Sequence, residues 1–115
     1  MLAANYDITL DRAADYSFVL TIKNQAGVAV DITGAVFYAD VREVASKKEA
    51  LDLTPTITGS ATNGQVLISL TKAQTKTLRA GRGLYEWDIF MDRSGSRTRL
   101  LYGSLVAREQ ITNDA

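Results

Sequence analysis

The sequence predicts an all-β protein: one antiparallel β-sandwich of seven to eight short strands, immunoglobulin-like or similar, with one short connecting helix near 72–79. Apolar and polar side chains alternate with a period of two along most of the chain, as in strands with one buried face. Turn signals recur about every 8–12 residues, the spacing of sandwiches and barrels. The length of 115 residues suits one core. We therefore expect a single domain over 1–115, with its core at about 5–109 and a loose tail at 110–115.

The first third of the chain contains three of the expected strands. Residues 6–10 alternate between large apolar and polar side chains, and residues 16–23 form the clearest strand of this half. A tight hairpin turn follows at 24–27, where Gly27 supplies the positive φ that such turns need. Residues 28–32 would then return beside the preceding strand.

The middle of the chain continues the alternation. Residues 35–42 form a strand whose inward side chains are Phe37, Ala39 and Val41 and whose outward side chains are Tyr38, Asp40 and Arg42. Residues 46–49 are the most polar loop. Residues 52–58 can form a strand, and Pro55 places it at a sheet edge because proline lacks a backbone donor. A turn at 62–64 precedes the strand at 66–70.

One helix is expected, between the last turn signal and the final strands. Thr71 is its N-cap, residues 72–79 lack helix breakers, and Gly81 stands where a left-handed C-terminal residue belongs. Three of its side chains would cover one end of the sheet pair: Ala73, Thr77 and Leu78.

Residues 83–92 are the expected heart of the core. The inward side chains are Tyr85, Trp87, Ile89 and Met91, and the outward ones are Glu86, Asp88 and Asp92. A turn at 93–96 leads into a last strand over about 98–107. Two registers remain open: a three-residue loop sets Leu101 opposite Trp87, and a four-residue loop sets Tyr102 there.

Two residue types are absent, which excludes several kinds of chemistry. Without histidine there is no Ser-His-Asp or Cys-His catalysis, no histidine base and no histidine metal ligand. Without cysteine neither disulfides nor thiolate metal sites can form, which fits synthesis in a reducing cytosol. A formal net charge of zero argues against a nucleic-acid partner bound through its phosphates. We expect no enzyme activity and no cofactor.

The chain also lacks membrane signals, and its charge is unevenly spread. No stretch approaches the roughly 18 apolar residues of a membrane span, and residues 1–5 do not resemble a signal peptide, so we expect a soluble chain with no membrane partner. Residues 1–57 hold five Lys/Arg against eight Asp/Glu, a charge of −3, and residues 58–115 hold eight against five, a charge of +3. This is either ordinary surface variation or self-complementary, head-to-tail packing of identical copies.

Two groups of carboxylates allow a chemical as well as a structural interpretation. Glu86 and Asp88 lie two apart on one strand, so their side chains face the same way, at a separation that does not exclude glycoside hydrolysis. Alternation, however, predicts an exposed face with no cleft to raise a carboxyl pKa. Asp7, Asp11 and Asp15 lack the spacing of a calcium loop, and the last two more plainly polarise a turn.

Five residues are candidates for protein docking. Arg93, Arg97 and Arg99 cluster on the last hairpin, where they either pair across strands with Asp88 or Asp92 or form a charged docking patch. Tyr38 and Tyr102 are either exposed aromatic anchors, sugar-stacking platforms or half-buried sheet residues.

An ordered set of strand and turn motifs resembles small virion proteins of tailed bacteriophages. The motifs are NYDITLDR (5–12), YSFVLTIK (16–23), NQAG (24–27), VDITGA (30–35), LRAG (78–81), YEWDI (85–89) and LLYG (100–103). Over roughly 5–109 the chain is similar to the N-terminal domain of phage baseplate upper proteins. It departs at Ala13 and Ala14, where relatives often carry a glycine.

The resemblance implies a non-catalytic β-sandwich that attaches tail fibres or receptor-binding parts to a tail or baseplate. Its partners would be other virion proteins, and it would be made in the host cytoplasm and present in several copies in the virion. A capsid decoration or neck protein is the nearest variant. A module that binds host-surface glycan through Tyr38 or Tyr102 is an alternative of another class, and a glycosidase built on Glu86 and Asp88 is a third.

Overall fold

Two β-sheets face each other across one hydrophobic core in the computed structural model, which describes residues 4–111. The strands are β1 (Ala4–Asn5), β2 (Ile8–Asp11), β3 (Tyr16–Thr21), β4 (Val36–Glu43), β5 (Glu49–Asp52), β6 (Thr56–Ile57), β7 (Gln65–Leu70), β8 (Gly81–Arg93) and β9 (Ser96–Arg108). A 3-10 turn, η1 (Ala61–Asn63), and a helix, α1 (Lys72–Lys76), complete the described elements. The predicted mostly-β sandwich is confirmed.

The larger sheet has the order β1-β9-β8-β4-β5, with β2 also paired to β9, and the smaller sheet has the order β3-β7-β6. Most neighbours are antiparallel, as predicted, but β1 and β2 run parallel to β9. A hairpin cannot join parallel neighbours, and here nearly the whole chain lies between them. Alternation within a strand says nothing about the direction of a partner so distant in sequence. No helix among residues 4–111 is both long and apolar enough to span a bilayer.

The inward side chains of the two sheets form the core. Those predicted on β4 and β8 are buried: Phe37, Ala39, Val41, Tyr85, Trp87 and Ile89. Met91 is only partly buried, because it lies near the end of the sandwich. The ring of Trp87 meets that of Phe18 from the smaller sheet edge-on, with centroids 6.1 Å apart. This contact joins the sheets at their centre.

The predictions for the segments between the longer strands are confirmed only in part. The turn at 24–27 is confirmed, with Gly27 at φ 79° and the Asn24 carboxamide accepting from backbone N–H groups. Residues 28–32 are not a strand; one bridge joins Lys23 and Ala29. The polar loop ends earlier than expected, since β5 begins at Glu49. The strand expected at 52–58 is shorter: β6 begins after Pro55 and lies at a sheet edge as predicted.

Helix α1 begins as predicted and ends early. Thr71 and Gln74 form a capping box, which satisfies two N-terminal donors. The helix ends at Lys76, and Gly81 starts β8 rather than ending the helix, so that prediction is wrong. Of the three side chains expected to cover the sheets, only Leu78 is buried; Ala73 and Thr77 are exposed.

The turn before β3 closes this end of the molecule. Thr75 is fully buried and donates its hydroxyl to the carbonyl of Ala14 at 2.9 Å. The Arg12 guanidinium donates to the carbonyls of Lys76 and Leu78, at 2.9 and 2.6 Å. Ala13 has a φ of 63°, the left-handed region that glycine favours.

The β8–β9 hairpin adopts neither of the two expected registers, because Gly103 lies opposite Trp87. The connection is a two-residue turn, Ser94 and Gly95, with φ values of 51° and 81°, as in a type I′ turn. Ile89 pairs with Leu101 and Phe90 with Arg99, so Leu100 is an extra residue in β9. This β-bulge shifts the register by one residue beyond the turn.

Candidate functional site: the outer face of the larger sheet

The side of the larger sheet that points away from the core carries large side chains in rows across three strands. We call this the outer face; its residues are Val36, Tyr38, Asp40 and Arg42 on β4, Glu86, Asp88, Phe90 and Asp92 on β8, and Arg97, Arg99, Tyr102 and Ser104 on β9. Tyr38 is 50% exposed and Tyr102 38% exposed. Exposed aromatic rings amid arginines are the composition of energetically important contact residues in protein interfaces.

The bulge at Leu100 assembles this face. Side chains two apart share a face of a strand, so Arg97 and Arg99 would normally point away from the side on which Tyr102 lies. The extra residue reverses the alternation between them. All three side chains consequently lie on the outer face.

Arg97 is held by a carboxylate and by two rings. Its Nε and Nη2 donate to the two oxygens of Asp92 at 2.6 and 2.9 Å, a bidentate pair. The guanidinium carbon lies 5.2 Å from the centre of the Tyr38 ring and 5.8 Å from that of Phe90. These contacts fix a cation above two aromatic groups in a single geometry.

Arg99 has a similar arrangement two residues further along β9. Its Nη2 lies 3.2 Å from Oδ2 of Asp88, and its guanidinium carbon is 4.9 Å from the centre of the Tyr102 ring. The predicted cross-strand pairing with Asp88 and Asp92 is therefore confirmed for Arg97 and Arg99. The pairing orders the two arginines and leaves them at the surface, about half exposed.

The structure separates Arg93 from the other four candidates. Arg93 has the strand parity of Met91, on the inward side of β8, and lies at the end of the hairpin opposite Ser96. Hydrogen bonds from Thr33 and, to a lesser extent, the charge of Arg93 lower the pKa of Asp31. Arg93 thus belongs to a different surface.

Phe90 is the residue of this site that sequence reasoning missed. It occupies the outward parity of β8, between Asp88 and Asp92, and lies beneath Arg97. A large apolar side chain at a position that alternation assigns to solvent is the signal that marks it.

A shallow depression of about 480 Å³ adjoins the aromatic rows, contrary to the expectation of a face without a cleft. The depression exists because small residues such as Gly83, Gly103 and Ser104 line it. Glu86 and Asp88 lie at its wall. Burial raises the pKa of Asp88, although the charge of Arg99 opposes this shift.

Glu86 and Asp88, the candidate hydrolytic pair, each have a cationic contact: Lys47 lies 3.1 Å from Glu86, and Arg99 lies beside Asp88. Across the neighbouring strands, a hydrogen bond with Asp40 raises the pKa of Glu49. Asp40, Arg42 and Arg99 also line the depression, so its lining carries mixed charges, which suits polar contacts at the margin of a docking surface.

The three N-terminal aspartates make separate structural contacts. Asp7 accepts from the Ser104 N–H at 3.0 Å, Asp11 from the Arg108 side chain at 2.8 Å and Asp15 from the Lys72 N–H at 2.7 Å. Asp11 lies in β2 rather than in the expected turn. Within residues 4–111, no group of three or more carboxylates is arranged to hold a metal ion.

Comparison with known proteins yields likenesses of architecture only. No family model and no curated protein match the chain. The insect immune protein hemolin, described with an arrangement relevant to homophilic adhesion, is 8% identical with a TM-score of 0.48, over 97% of this chain and 27% of that one. The chain thus spans about a quarter of the hemolin chain.

A second solved structure is that of the extracellular domains of the voltage-gated sodium channel beta4 subunit, described as parallel homodimers with a role in cell-cell adhesion. It is 12% identical with a TM-score of 0.47, over 96% of this chain and 97% of that one. At such scores neither likeness bears on function, and the sandwich assignment depends on the sheet order and the shared core described above.

Proposed function

We propose that this domain is a non-catalytic docking module that binds a partner protein through the outer face of the larger sheet. The observation that carries the proposal is the set of aromatic rings held under fixed guanidinium groups: Tyr38 and Phe90 under Arg97, and Tyr102 under Arg99. Tyrosine and arginine are the residue types most enriched among the strong contacts of protein interfaces.

The arrangement supports binding because it is ordered before a partner arrives. Immobilising a flexible side chain costs about 0.5–1.5 kcal/mol on association. Here Asp92 already holds Arg97 in a bidentate pair, and Asp88 holds Arg99. The rings stand on strands in the middle of a sheet, so the backbone beneath them is also constrained.

We further propose that the partner is another virion protein of a tailed bacteriophage, and that the domain is a tail or baseplate adaptor that attaches fibres or receptor-binding parts. This part of the proposal is supported by the ordered sequence resemblance alone. It implies several copies per particle and synthesis in the host cytoplasm. A capsid decoration or neck protein would use the same kind of surface.

A glycan is a weaker candidate ligand for the same face. Sugar binding needs an open ring face on which the apolar side of the sugar can stack. The guanidinium groups of Arg97 and Arg99 occupy a face of the Tyr38 and Tyr102 rings. On those ring faces a bound sugar would have to displace the guanidinium groups, whereas a protein carboxylate or carbonyl can accept from their free N–H groups.

The test is affinity capture with the tagged full chain from phage-infected cells, followed by quantitative mass spectrometry. We expect virion proteins to be recovered by the wild-type chain and to fall about tenfold or more with Tyr38→Ala combined with Tyr102→Ala, as for contact residues at an interface centre. Val28→Ala is the matched control, since Val28 is 60% exposed and lies outside the outer face.

Two outcomes would contradict different parts of the proposal. Virions that lack the chain, together with no captured virion protein, would remove the phage assignment. Equal recovery by the double tyrosine variant would remove the outer face as the docking surface. A glycan array that binds the wild-type chain and loses the signal with Tyr102→Ala would favour the carbohydrate alternative.

A further inference from the structure

Strand β3 forms an open edge of the smaller sheet. It pairs with β7 in an unbroken antiparallel register over six residues, and among residues 4–111 it has no ladder on its other side. Its inward residues Tyr16, Phe18 and Leu20 pack against the core. The outward residues are Ser17, Val19 and Thr21, of which Val19 is 50% exposed.

The ladder shows which backbone groups face the open side. The N–H of Ile22 donates to the carbonyl of Gly64 at 2.8 Å, so Ile22 and the other even-numbered residues point their backbone groups towards β7. In an antiparallel strand the alternate residues point theirs the opposite way. The N–H and C=O groups of Ser17, Val19 and Thr21 therefore face outwards.

Within residues 4–111, this edge lacks the devices that usually prevent strand pairing. Natural edge strands are protected by lysine, proline, a bulge or a covering segment. Between Asp15 and Lys23 the strand has no charged residue, no proline and no glycine, and its register with β7 is regular. Val19 lies beside Leu67 of β7, which extends the apolar surface on the outward side of the sheet.

We propose that β3 pairs with β3 of a second copy of this chain, antiparallel and centred on Val19, which joins the two smaller sheets into one. In this register Val19 faces Val19 of the second copy, and Ser17 faces Thr21. Three outward N–H groups in each copy find carbonyl acceptors in the other. The outward apolar surface formed by Leu67 and Val19 then continues across the contact into Val19 and Leu67 of the second copy.

Charge complementarity selects this occupant and this register. Pairing centred on Val19 sets Asp15 of each copy opposite Lys23 of the other, at both ends of the shared ladder. Both residues are exposed. The self-pairing thus has an opposite-charge contact at each end and apolar side chains in the middle, an arrangement that stabilises cross-strand contacts. A shift by two residues would lose both ion pairs.

The contact is small, so we expect reversible association that depends on concentration. It uses the smaller sheet and leaves the outer face of the larger sheet free. The proposal therefore does not depend on the docking function above, and a variant of Val19 leaves that function unchanged.

Cysteine cross-linking of the full chain tests the register. The chain has no cysteine, so each substitution introduces a single thiol. Val19→Cys should form a disulfide-linked dimer in a glutathione buffer, because directly opposed residues of a hydrogen-bonded pair have Cα atoms about 5.5 Å apart, within disulfide range. Ser17→Cys alone should link about tenfold less, since the two thiols would be displaced by four residues, about 13 Å along the strand.

A mixture of Ser17→Cys and Thr21→Cys chains should restore linkage, and only between the two different chains. Val19→Cys that stays monomeric, or Ser17→Cys that links as readily as Val19→Cys, would overturn the proposal. Sedimentation of the unmodified chain gives a second readout: Val19→Lys should weaken self-association about tenfold or more, while Val19→Thr, which keeps the β-branched shape, retains it. A wild-type chain that is monomeric at every concentration would also refute it.

Discussion

The two halves of the β8–β9 hairpin, on either side of the bulge at Leu100, differ in what their side chains do. Beyond the bulge, at the base, Trp87 and Gly103 face the core and hold the N-terminal segment in place. Before it, near the turn, Arg97 and Phe90 present charge and aromatic surface outwards. The base thus carries the contacts that stabilise the fold, together with Tyr102 of the outer face, whereas the half near the turn carries Arg97 and Phe90 of that face.

At the base of the hairpin, three segments of the chain come into close contact. Trp87 Nε1 donates to the carbonyl of Tyr6 at 2.8 Å. That carbonyl lies where a side chain of residue 103 would otherwise be, between β1 and β2. Tyr6 also stacks on Phe18, with ring centroids 5.3 Å apart. Only glycine at 103 allows this crossing, so the base has little tolerance for change.

The largest expected effect is that of Gly103→Ala. A Cβ at this position would overlap the Tyr6 carbonyl and lie 2.8 Å from Oδ1 of Asp7. Since backbone cannot rotate away as a side chain can, we expect a loss of about 3 kcal/mol or more in the free energy of unfolding. Urea denaturation followed by circular dichroism measures it.

Gly83→Ala in the same hairpin is the matched control. A Cβ there meets nothing within 4 Å, and only the positive φ of 76° opposes it. We expect a loss of about 1 kcal/mol from that backbone conformation. Equal losses for the two alanine variants would mean that the crossing at Gly103 does not limit stability.

Trp87→Phe should have the second-largest effect on stability. The substitution removes the indole N–H that binds the Tyr6 carbonyl and part of a ring that is 3% exposed. We expect a loss of about 2 kcal/mol from the missing donor and the smaller ring together. The urea midpoint reports it. An unchanged midpoint would show that water replaces the indole at no cost and that the base is less constrained than the close contacts imply.

Much of the base could be predicted from the sequence, and its register could not. Alternation correctly placed Trp87 and Ile89 in the core, because burial of apolar side chains fixes the face of a strand. The position opposite Trp87 depends on the bulge and the two-residue turn, which are backbone features without a unique side-chain signal. Alternation also gives no information on strand direction, so it does not predict the parallel pairing of β1 and β2 with β9.

In the candidate site, too, the sequence predicts the type of residue but not its position. The chemistry of Tyr38, Tyr102, Arg97 and Arg99 predicts contact residues, and the structure brings these four to one face. Nearness in sequence predicts that Arg93 joins them, but its strand parity separates it. Residue type indicates what a surface offers a partner, and the register decides which residues belong to that surface.

Near the turn, Asp92→Asn should have a smaller effect that depends on pH. Hydrogen bonds from Arg97 lower the pKa of Asp92. The carboxylate therefore stabilises the folded state above the unfolded pKa of about 4, and this contribution is lost as the pH falls through the lower folded value. The variant should be less stable than the wild type at neutral pH, and the difference should shrink in acid.

Thermal unfolding of both chains across the acid range measures this difference. Adding Arg97→Gln to each chain is the control, because Asp92→Asn should then have little further effect if the pair is the cause. A difference that persists at low pH would point to packing of the side chain rather than to its charge.

Asp88→Asn should have the smallest effect, with the opposite sign, although Asp88 also contacts an arginine. Burial raises the pKa of Asp88, so the folded state binds its proton more tightly than the unfolded chain does. Wild-type stability should therefore fall as the pH rises from the ordinary aspartate value through the raised folded value. The asparagine variant lacks this fall and should be slightly more stable at neutral pH, with no advantage in acid. If Asp88→Asn proves less stable at neutral pH, the attraction of Arg99 exceeds the cost of burial, and both arginine–aspartate pairs stabilise the hairpin alike.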